Sequence, residues 1–306
     1  MLIKVGLKKW VFVAITIIHC AAVNAQLSYK TEFIGRSGYR RTEDDRSERV
    51  GDSKGSAMVH QAAVTIPLSV KLNEKKQPTM WAISMGGAYA KLNNRNFTEP
   101  LVIDEIMNVS VGVVHKRPLN EHWSVLAAVG GGIYMPGARL SDMKLKNVLG
   151  SAGTIFIYHL KPNLDIGAGL ALNNSFGFPM LFPAFYLDWK TTSKYAVKVE
   201  VMKGLEVSVS YIAHKNLSVS FVAEMNGQMA LLEQTGEDKI FSHQYLVTGF
   251  RPEIKIGKHI MVPLTVGLSA TRPAKMMDRK LKSIFQEEGY HFRAAGYASA
   301  GVQVKF

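Results

Sequence analysis

Charged side chains recur at alternate positions within apolar segments of this chain. In KYAVKVEV, Lys198 and Glu200 alternate with valines, and in an extended strand alternate residues point to the same face. Charges that share a face can pair with one another or, where they line an enclosed space, select the solutes that enter it. The alternation places nine such candidates on polar faces that would line a lumen: Lys30, Glu32, Lys71, Lys198, Glu200, Glu206, Glu224, Arg293 and Lys305.

Histidines and serines could instead form a hydrolytic site, which needs a nucleophile, a base and an orienting group in contact. Four histidines, His60, His115, His243 and His259, lie on or near predicted strands, and Ser175 lies in the segment NNSFG. None of them belongs to a motif that fixes its partner. The sequence therefore predicts no catalytic residues, and it predicts no metal site and no cofactor.

The elements that would position these side chains follow an N-terminal segment of a different kind. Three lysines precede an uncharged apolar stretch at 10–22, which is followed by the small-residue sequence VNA. Basic, apolar and small residues in this order are typical of a secretory signal peptide. We expect residues 1–25 to be removed after export and residues 26–306 to form a single domain.

Composition narrows the possible partners. The only cysteine, Cys20, lies in the expected signal peptide, so the mature chain would have no disulfide and no thiolate ligand or nucleophile. Without the three signal lysines, 34 basic residues stand against 24 acidic ones, a formal charge of +10. A basic exported protein could bind anionic lipid or small anionic solutes. Export argues against nucleic acid as a partner.

The dominant pattern after residue 25 is alternation with a period of two. TIPLSVKL, for example, places Val64, Ile66 and Leu68 on one face and Thr65 on the other. Such alternation is typical both of a secreted β-sandwich and of a membrane barrel, so by itself it leaves the two open. No apolar segment after residue 25 is long enough for a transmembrane helix, and a membrane-spanning form would therefore have to be a closed barrel.

The lengths of the connections favour the barrel. Short turns alternate with connections that are often long, as at 37–55, 92–101, 135–147, 227–239 and 271–290. Outer-membrane barrels have short periplasmic turns and longer extracellular loops. We therefore predict an all-β fold, a closed antiparallel transmembrane β-barrel of about 14 strands (roughly 12–16). The strands are expected at about 27–36, 56–72, 79–91, 102–116, 121–134, 148–160, 163–173, 179–190, 194–202, 205–214, 217–226, 240–255, 258–270 and 291–306.

The final strand carries a motif. It ends in SAGVQVKF, and to close a barrel it must pair with the first strand. The ending resembles the recognition signal that the bacterial barrel-assembly machinery reads, with Ser299, Gly301, Val304 and Phe306 at its four defined positions. The resemblance implies an uncharacterised outer-membrane β-barrel protein of Gram-negative bacteria. It also implies outer-membrane lipid and the assembly machinery as partners.

Three functions remain open for such a barrel. A barrel of about 14 strands falls between those filled by side chains and the wide porins, so we first expect a channel or transporter for small solutes, biased towards anions by the +10 charge. The alternatives are a structural or interaction barrel that acts through its extracellular loops, and an outer-membrane lipid-modifying enzyme.

Two of the long connections have a composition of their own. Segment 37–55 is charged and rich in glycine and serine, and we expect it to be solvated and mobile. Segment 271–290 is expected to form a short amphipathic helix that folds into the barrel mouth or lies on lipid headgroups. Its apolar residues at helical spacing are Met277, Leu281, Ile284 and Phe285.

Overall fold

The computed structural model describes residues 25–43, 46–74, 77–98, 100–139, 141, 143–190, 194–200, 205–285 and 289–306. The predicted signal peptide lies outside these residues, apart from Ala25. The described residues form one antiparallel sheet. Its strands are β1 (Gln26–Glu43), β2 (Arg46–Leu72), β3 (Pro78–Arg95), β4 (Glu105–Pro118), β5 (Trp123–Met135), β6 (Val148–Lys161), β7 (Leu164–Asn173), β8 (Met180–Lys190), β9 (Tyr195–Glu200), β10 (Leu205–His214), β11 (Leu217–Gln234), β12 (Glu237–Ile256), β13 (Ile260–Asp278), β14 (Gly289–Phe292) and β15 (Ala295–Lys305).

The sheet closes on itself. From β1 to β13 each strand pairs with the next along the chain, and β14 and β15 each pair with both β13 and β1. Because β14 and β15 are one strand interrupted at residues 293–294, fourteen strands surround the lumen. The predicted closed barrel is confirmed. Such closure satisfies the strand hydrogen bonds within the wall, as the interior of a bilayer requires. Among the described residues, no helix has the length and apolar character needed to cross a membrane.

The two faces of the wall differ as the alternation predicts. On β10, Val207 and Val209 are 39% and 49% exposed, whereas Ser208 between them is 5% exposed. The exposed rows are apolar and the covered rows are mostly small or polar. A barrel that faces lipid with one row and its own lumen with the next has this distribution.

Aromatic side chains mark the short-turn end of the barrel. Trp81 at the start of β3 stacks on His115 near the end of β4, with ring centroids 4.1 Å apart. Tyr195 and Tyr211 form a similar pair at the ends of β9 and β10, with centroids 5.4 Å apart. Phe306 lies at the same end and is half exposed. Aromatic girdles of this kind lie at the membrane interfaces of outer-membrane barrels.

Two segments expected to be loops are strands. Segment 37–55 forms the outer parts of β1 and β2, where Arg41 pairs with Glu48. Segment 227–239 is a continuous hairpin of β11 and β12, closed by a turn at Thr235 and Gly236, both of which have positive φ. A strand needs only about 9–11 residues to cross the hydrocarbon core, so these strands continue beyond it. The polar composition of these segments does not indicate strands, because outside the membrane a strand does not need a row of apolar side chains.

Segment 271–290 does not form the expected amphipathic helix. β13 continues to Asp278, which pairs with Lys239 of β12. Only Leu281–Phe285 is helical, as a short 3-10 segment, and residues 286–288 lie outside the described residues. Pairing with the long β12 strand overrides the helical spacing of the apolar residues.

Two opposed glycines allow a close approach of β12 and β13. Gly249 on β12 pairs directly with Gly267 on β13. A Cβ atom on Gly267 would lie 2.1 Å from the carbonyl oxygen of Thr248, and one on Gly249 would lie 2.4 Å from that of Val266. Both distances are far below van der Waals contact, so this part of the wall requires residues without a side chain.

Candidate functional site in the lumen

The outer part of the β11–β12 hairpin lies across the barrel interior. Asn108 on β4 donates from Nδ2 to the carbonyl oxygen of Met229 on β11 over 2.6 Å and accepts a hydrogen bond from its amide over 3.3 Å. β4 and β11 are seven strands apart around the wall in either direction, so they can meet only across the lumen. We call residues 227–243 of this hairpin the plug.

The plug shares an apolar core with the wall. Phe241 is fully buried beside Tyr39 of β1 and Phe292 of β14 in one cluster. The Tyr39 ring lies 4.8 Å from that of Phe292, and its hydroxyl donates to the carbonyl oxygen of Ala274 over 2.8 Å. Asn147, in the connection after β5, donates to the carbonyl oxygen of Leu231 over 2.5 Å. The outer half of the lumen is therefore filled with side chains.

Ion pairs fasten the tip of the plug to the neighbouring connections. Lys146 contacts Glu233 closely and lies 3.3 Å from Asp238, while Lys239 lies 2.6 Å from Asp278 of β13. Hydrogen bonding to Lys146 lowers the pKa of Glu233. Hydrogen bonding to Asp278 raises the pKa of Lys239. Both shifts favour the charged forms that make these contacts.

Arg279 joins three outer connections. Its guanidinium donates to the carbonyl oxygens of Asn174 over 3.0 Å, Ser175 over 2.9 Å and Lys146 over 3.1 Å. A planar guanidinium is suited to several acceptors at once. We call Arg279 and the ion-paired residues of the plug tip the clasp, which consists of Lys146, Glu233, Asp238, Lys239, Asp278 and Arg279.

Below the apolar core, Glu32 on β1 is the most enclosed ionisable group of the lumen. It is fully buried and accepts hydrogen bonds from the hydroxyls of Tyr245, over 2.7 Å, and Tyr297, over 2.5 Å. Lys30 lies 2.8 Å from Glu32 and 3.0 Å from Glu224 of β11. A buried carboxylate is stable only when it is paired and hydrogen-bonded, and these contacts meet that condition.

The chain of ion pairs continues along the wall. Arg251 on β12 contacts Glu224 closely and Glu206 on β10 over 2.9 Å, and its Nε donates to Thr265 over 3.1 Å. Lys198 on β9 lies 3.4 Å from the other oxygen of Glu206. Three carboxylates and three cations are thus joined in an alternating order. We call this set the lumen network: Lys30, Glu32, Lys198, Glu206, Glu224 and Arg251.

Carboxylates also share one hydrogen-bonded row on five adjacent strands. Asp165 on β7 is opposite Asp188 on β8, and the row continues through Glu200, Glu206 and Glu224. The side chain of Glu200 lies outside the described part of the structure. Like charges that face each other across strands repel, and the cations of the lumen network offset part of this repulsion.

A cavity of about 410 Å³ adjoins the lumen network. Small residues, including Gly86, Ala88 and Gly301, leave the space open, and polar side chains such as Ser110 and Tyr134 line it. Its volume lies within the range typical of small-molecule sites. The cavity can therefore hold a small polar solute beneath the plug.

Three of the predicted lumen residues lie apart from this network. Lys71 is exposed near the end of β2, after a shift in strand register that interrupts the alternation. Arg293 is exposed in the break between β14 and β15, where Phe292 and Ala295 on either side are both buried. Lys305 is exposed at the last pair of the ladder. The interruptions in register explain why simple alternation does not place Lys71 and Arg293.

The residues of the predicted assembly signal lie on the closing strand. Ser299, Gly301 and Val304 are paired with β1, and the backbone amide of Phe306 donates to the carbonyl oxygen of Ala25 over 3.0 Å. Recognition of this strand by the assembly machinery remains a prediction.

The serine and histidines singled out from the sequence are not in contact with one another. His60 bonds to Tyr29 over 3.0 Å, and His115 bonds to the carbonyl oxygen of Met80 over 3.1 Å. Ser175 contributes its carbonyl oxygen to the clasp arginine. These contacts stabilise the wall and the loops.

A serine and a histidine that sequence reasoning missed do meet. Ser124 Oγ lies 2.8 Å from His159 Nε2, and His159 Nδ1 lies 2.8 Å from Asp165 Oδ1. Asn108 and Arg251 were also missed. All of these occupy inward positions of their strands, but only the register of the strands shows which of them meet.

Several solved structures are similar to this chain. They include an outer-membrane channel from Pseudomonas putida F1 (8% identity, covering 93% of this chain and 96% of that chain, TM-score 0.46). The outer-membrane protease OmpT from Escherichia coli also matches (8% identity, 93% and 97% covered, TM-score 0.31). A third is the toluene transporter TodX from Pseudomonas putida (7% identity, 92% and 89% covered, TM-score 0.34). At these values the matches carry no argument about what this chain binds or does.

Comparison with protein families is more informative. No curated protein matches the sequence. A family model, in contrast, matches residues 21–305 and so spans the whole barrel. This outer-membrane β-barrel therefore belongs to the family described as Domain of unknown function (DUF6268).

Proposed function

We propose that this protein is a gated outer-membrane channel for small solutes, and that the plug holds it closed in the conformation described here. The observation that carries the proposal is the contact between Asn108 and Met229, which places a hairpin across the interior. A wall of fourteen strands leaves room for a passage. The plug is a continuation of two wall strands, and its displacement breaks only the outer pairs that join residues 239–243 of β12 to residues 274–278 of β13.

The fastening of the plug is suited to reversible opening. Its tip is held by the clasp, whose ion pairs are exposed and therefore contribute little each. Beneath the plug lies the cavity of about 410 Å³, with the lumen network at its side. A solute that passes the displaced plug enters this polar cavity and continues to the periplasmic mouth.

The described lumen favours cations or neutral solutes over anions. The +10 charge of the mature sequence predicted an anion preference. However, four carboxylates of the acidic row have described side chains, Asp165, Asp188, Glu206 and Glu224, and the three cations of the lumen network are already paired with Glu206, Glu224 and Glu32. Rings of acidic side chains are the usual device of cation-selective pores. We therefore propose a preference for cationic or neutral solutes, with outer-membrane lipid around the barrel and the assembly machinery as its insertion partner.

Conductance in planar bilayers tests the proposal. One variant replaces residues 229–242 with Asn-Gly, a two-residue turn suited to joining the paired residues Gln228 and His243. A control shortens the other long hairpin in the same way by replacing residues 41–48. We expect steady, cation-selective current only from the plug variant. A folded plug variant that conducts no ions would contradict the channel, and an anion-selective current would contradict the proposed preference.

A second function is favoured by one observation. The outer half of the lumen is filled by the core that Phe241 and Tyr39 share, and a barrel closed in this way could serve as a scaffold for its extracellular hairpins. An interaction barrel of this kind would show no opening events while the plug is present, so recordings of the unaltered barrel separate the two functions.

A further inference from the structure

Three side chains on adjacent strands form a continuous relay of hydrogen bonds. Ser124 lies at the start of β5, His159 near the end of β6 and Asp165 at the start of β7. The Ser124 hydroxyl oxygen is 2.8 Å from His159 Nε2, and His159 Nδ1 is 2.8 Å from Asp165 Oδ1. Both ring nitrogens are therefore engaged, one by a hydroxyl and the other by a carboxylate.

The order of these contacts has a chemical consequence. An ionised carboxylate can only accept, so His159 must donate from Nδ1 to Asp165. In the neutral ring, Nε2 then carries the lone pair and can accept the Ser124 hydroxyl proton. This is the tautomer that a general base needs in order to activate a serine.

The relay faces the lumen at the periplasmic end of the barrel. Ser124 is 3% exposed, while Trp123 beside it is 41% exposed on the lipid side. The side chains of His159 and Asp165 are 26% and 25% exposed. The exposed parts of His159 and Asp165 leave that side of the relay open to a substrate that enters at the periplasmic end.

We propose that Ser124, His159 and Asp165 form the catalytic site of an esterase for short-chain carboxylic esters that enter the lumen from the periplasm. Ile157, the strand partner of Ser124, and Leu126 two residues along β5 are buried on the same lumen-facing row and suit a short acyl chain. Lys116 is the strand partner of Leu126 and lies diagonally from Ser124. A lysine side chain spans such a diagonal, and its ammonium stabilises the oxyanion.

The reaction balances with water as the only co-reactant. The Ser124 oxygen attacks the acyl carbonyl carbon while His159 Nε2 takes the hydroxyl proton. The tetrahedral intermediate collapses, the ester C–O bond breaks, and His159 returns the proton to the leaving alcohol. Water then attacks the acyl-serine with His159 again as the base, which releases the carboxylic acid and restores the hydroxyl.

The test uses the mature barrel refolded in detergent, with folding checked by heat-modifiable gel mobility. Covalent labelling by a fluorophosphonate and hydrolysis of p-nitrophenyl acetate are measured for each variant. We expect S124A to abolish labelling and hydrolysis, and S175A, at the loop serine, to change neither. D165N keeps the shape of its side chain and should lower kcat by about 10²–10⁴-fold.

Three outcomes would overturn the proposal. The first is a folded, unaltered barrel that neither labels nor hydrolyses the ester. The second is labelling of S124A as strong as that of the unaltered barrel, and the third is a folded D165N variant with full activity. Hydrolysis of phospholipid vesicles but not of the short ester would contradict access from the lumen. None of these readouts depends on whether the barrel conducts ions.

Discussion

The side chain of Asn108 binds both backbone groups of Met229 across the barrel interior, as donor to the carbonyl oxygen and acceptor from the amide. Asn108 thus makes the two backbone hydrogen bonds that a neighbouring strand would otherwise make to Met229, although it lies on the opposite side of the barrel. It satisfies backbone groups that would otherwise be left without a partner in a closed interior. The position of the plug therefore depends on this contact as well as on the apolar core around it.

Replacing Asn108 with leucine should loosen the plug. The side chain keeps a similar size but leaves the Met229 amide and carbonyl unsatisfied, at a cost of about 1–3 kcal/mol. We expect more frequent opening events in single-channel recordings and faster hydrogen exchange at the Met229 amide. The exposed Asn93 on the neighbouring β3 provides a matched control, N93L, which should leave both unchanged. Equal behaviour of the two variants would show that Asn108 does not hold the plug.

Arg251 should contribute more to stability than any exposed cation. R251M leaves Glu206 and Glu224 without the guanidinium that now joins them. Removing one partner of a buried ion pair costs about 3–5 kcal/mol. Urea unfolding of the barrel in lipid vesicles should show this loss, with the exposed Lys255 replaced in K255M as the control. Addition of E224Q to R251M should recover part of the loss, because one uncompensated charge is removed.

Alternation and connection length predicted the closed barrel, but alternation does not place every residue on the correct face. Ser208 between Val207 and Val209 follows the period of two, as membrane strands must. Arg293 and Lys71 do not follow this period, because interruptions in strand register change locally which residues face inward. Alternation predicts a loop at 227–239, whereas these residues form the end of a hairpin, because beyond the hydrocarbon core a strand does not need an apolar outer row.

The contacts between side chains across the lumen could not be predicted from the sequence. Alternation predicts that Glu224 and Lys30 both face the lumen, but their contact joins strands that are four steps apart around the wall. Asn108 and Met229 are 121 residues apart, and no local pattern marks either one. Distances across a lumen are set by the closure of the whole sheet.

The clasp should make opening dependent on pH and salt. The pKa of Glu233 is lowered by its hydrogen bond to Lys146, so its stabilising effect is present above its unfolded pKa and is lost as pH falls through its folded value. The pKa of Lys239 is raised by its hydrogen bond to Asp278 and that of Asp278 is lowered by the same contact, so this pair weakens at alkaline pH through Lys239 and in acid through Asp278. We expect open probability to rise under acidic conditions and with added salt, since exposed pairs are screened.

The double variant E233Q/D238N removes both acidic partners of Lys146. It should raise open probability at neutral pH to a level near that of the unaltered barrel in acid, and it should weaken the acid response. K282M, which alters an exposed lysine of the short 3-10 segment, should preserve the acid response. An acid response of full size in E233Q/D238N would place the pH-sensitive group elsewhere.

The opposed glycines of β12 and β13, Gly249 and Gly267, should be required for the barrel to fold. A valine at position 267 would bring its Cβ to 2.1 Å from the carbonyl oxygen of Thr248, so the two strands could not keep their separation. We expect G267V to reduce the folded fraction strongly in refolding experiments read by heat-modifiable mobility. G296A is the control, because a Cβ on Gly296 meets nothing within 4 Å and that residue is exposed on the lipid side of β15. If G267V folded as completely as G296A, the close approach of β12 and β13 would not be a requirement of the barrel.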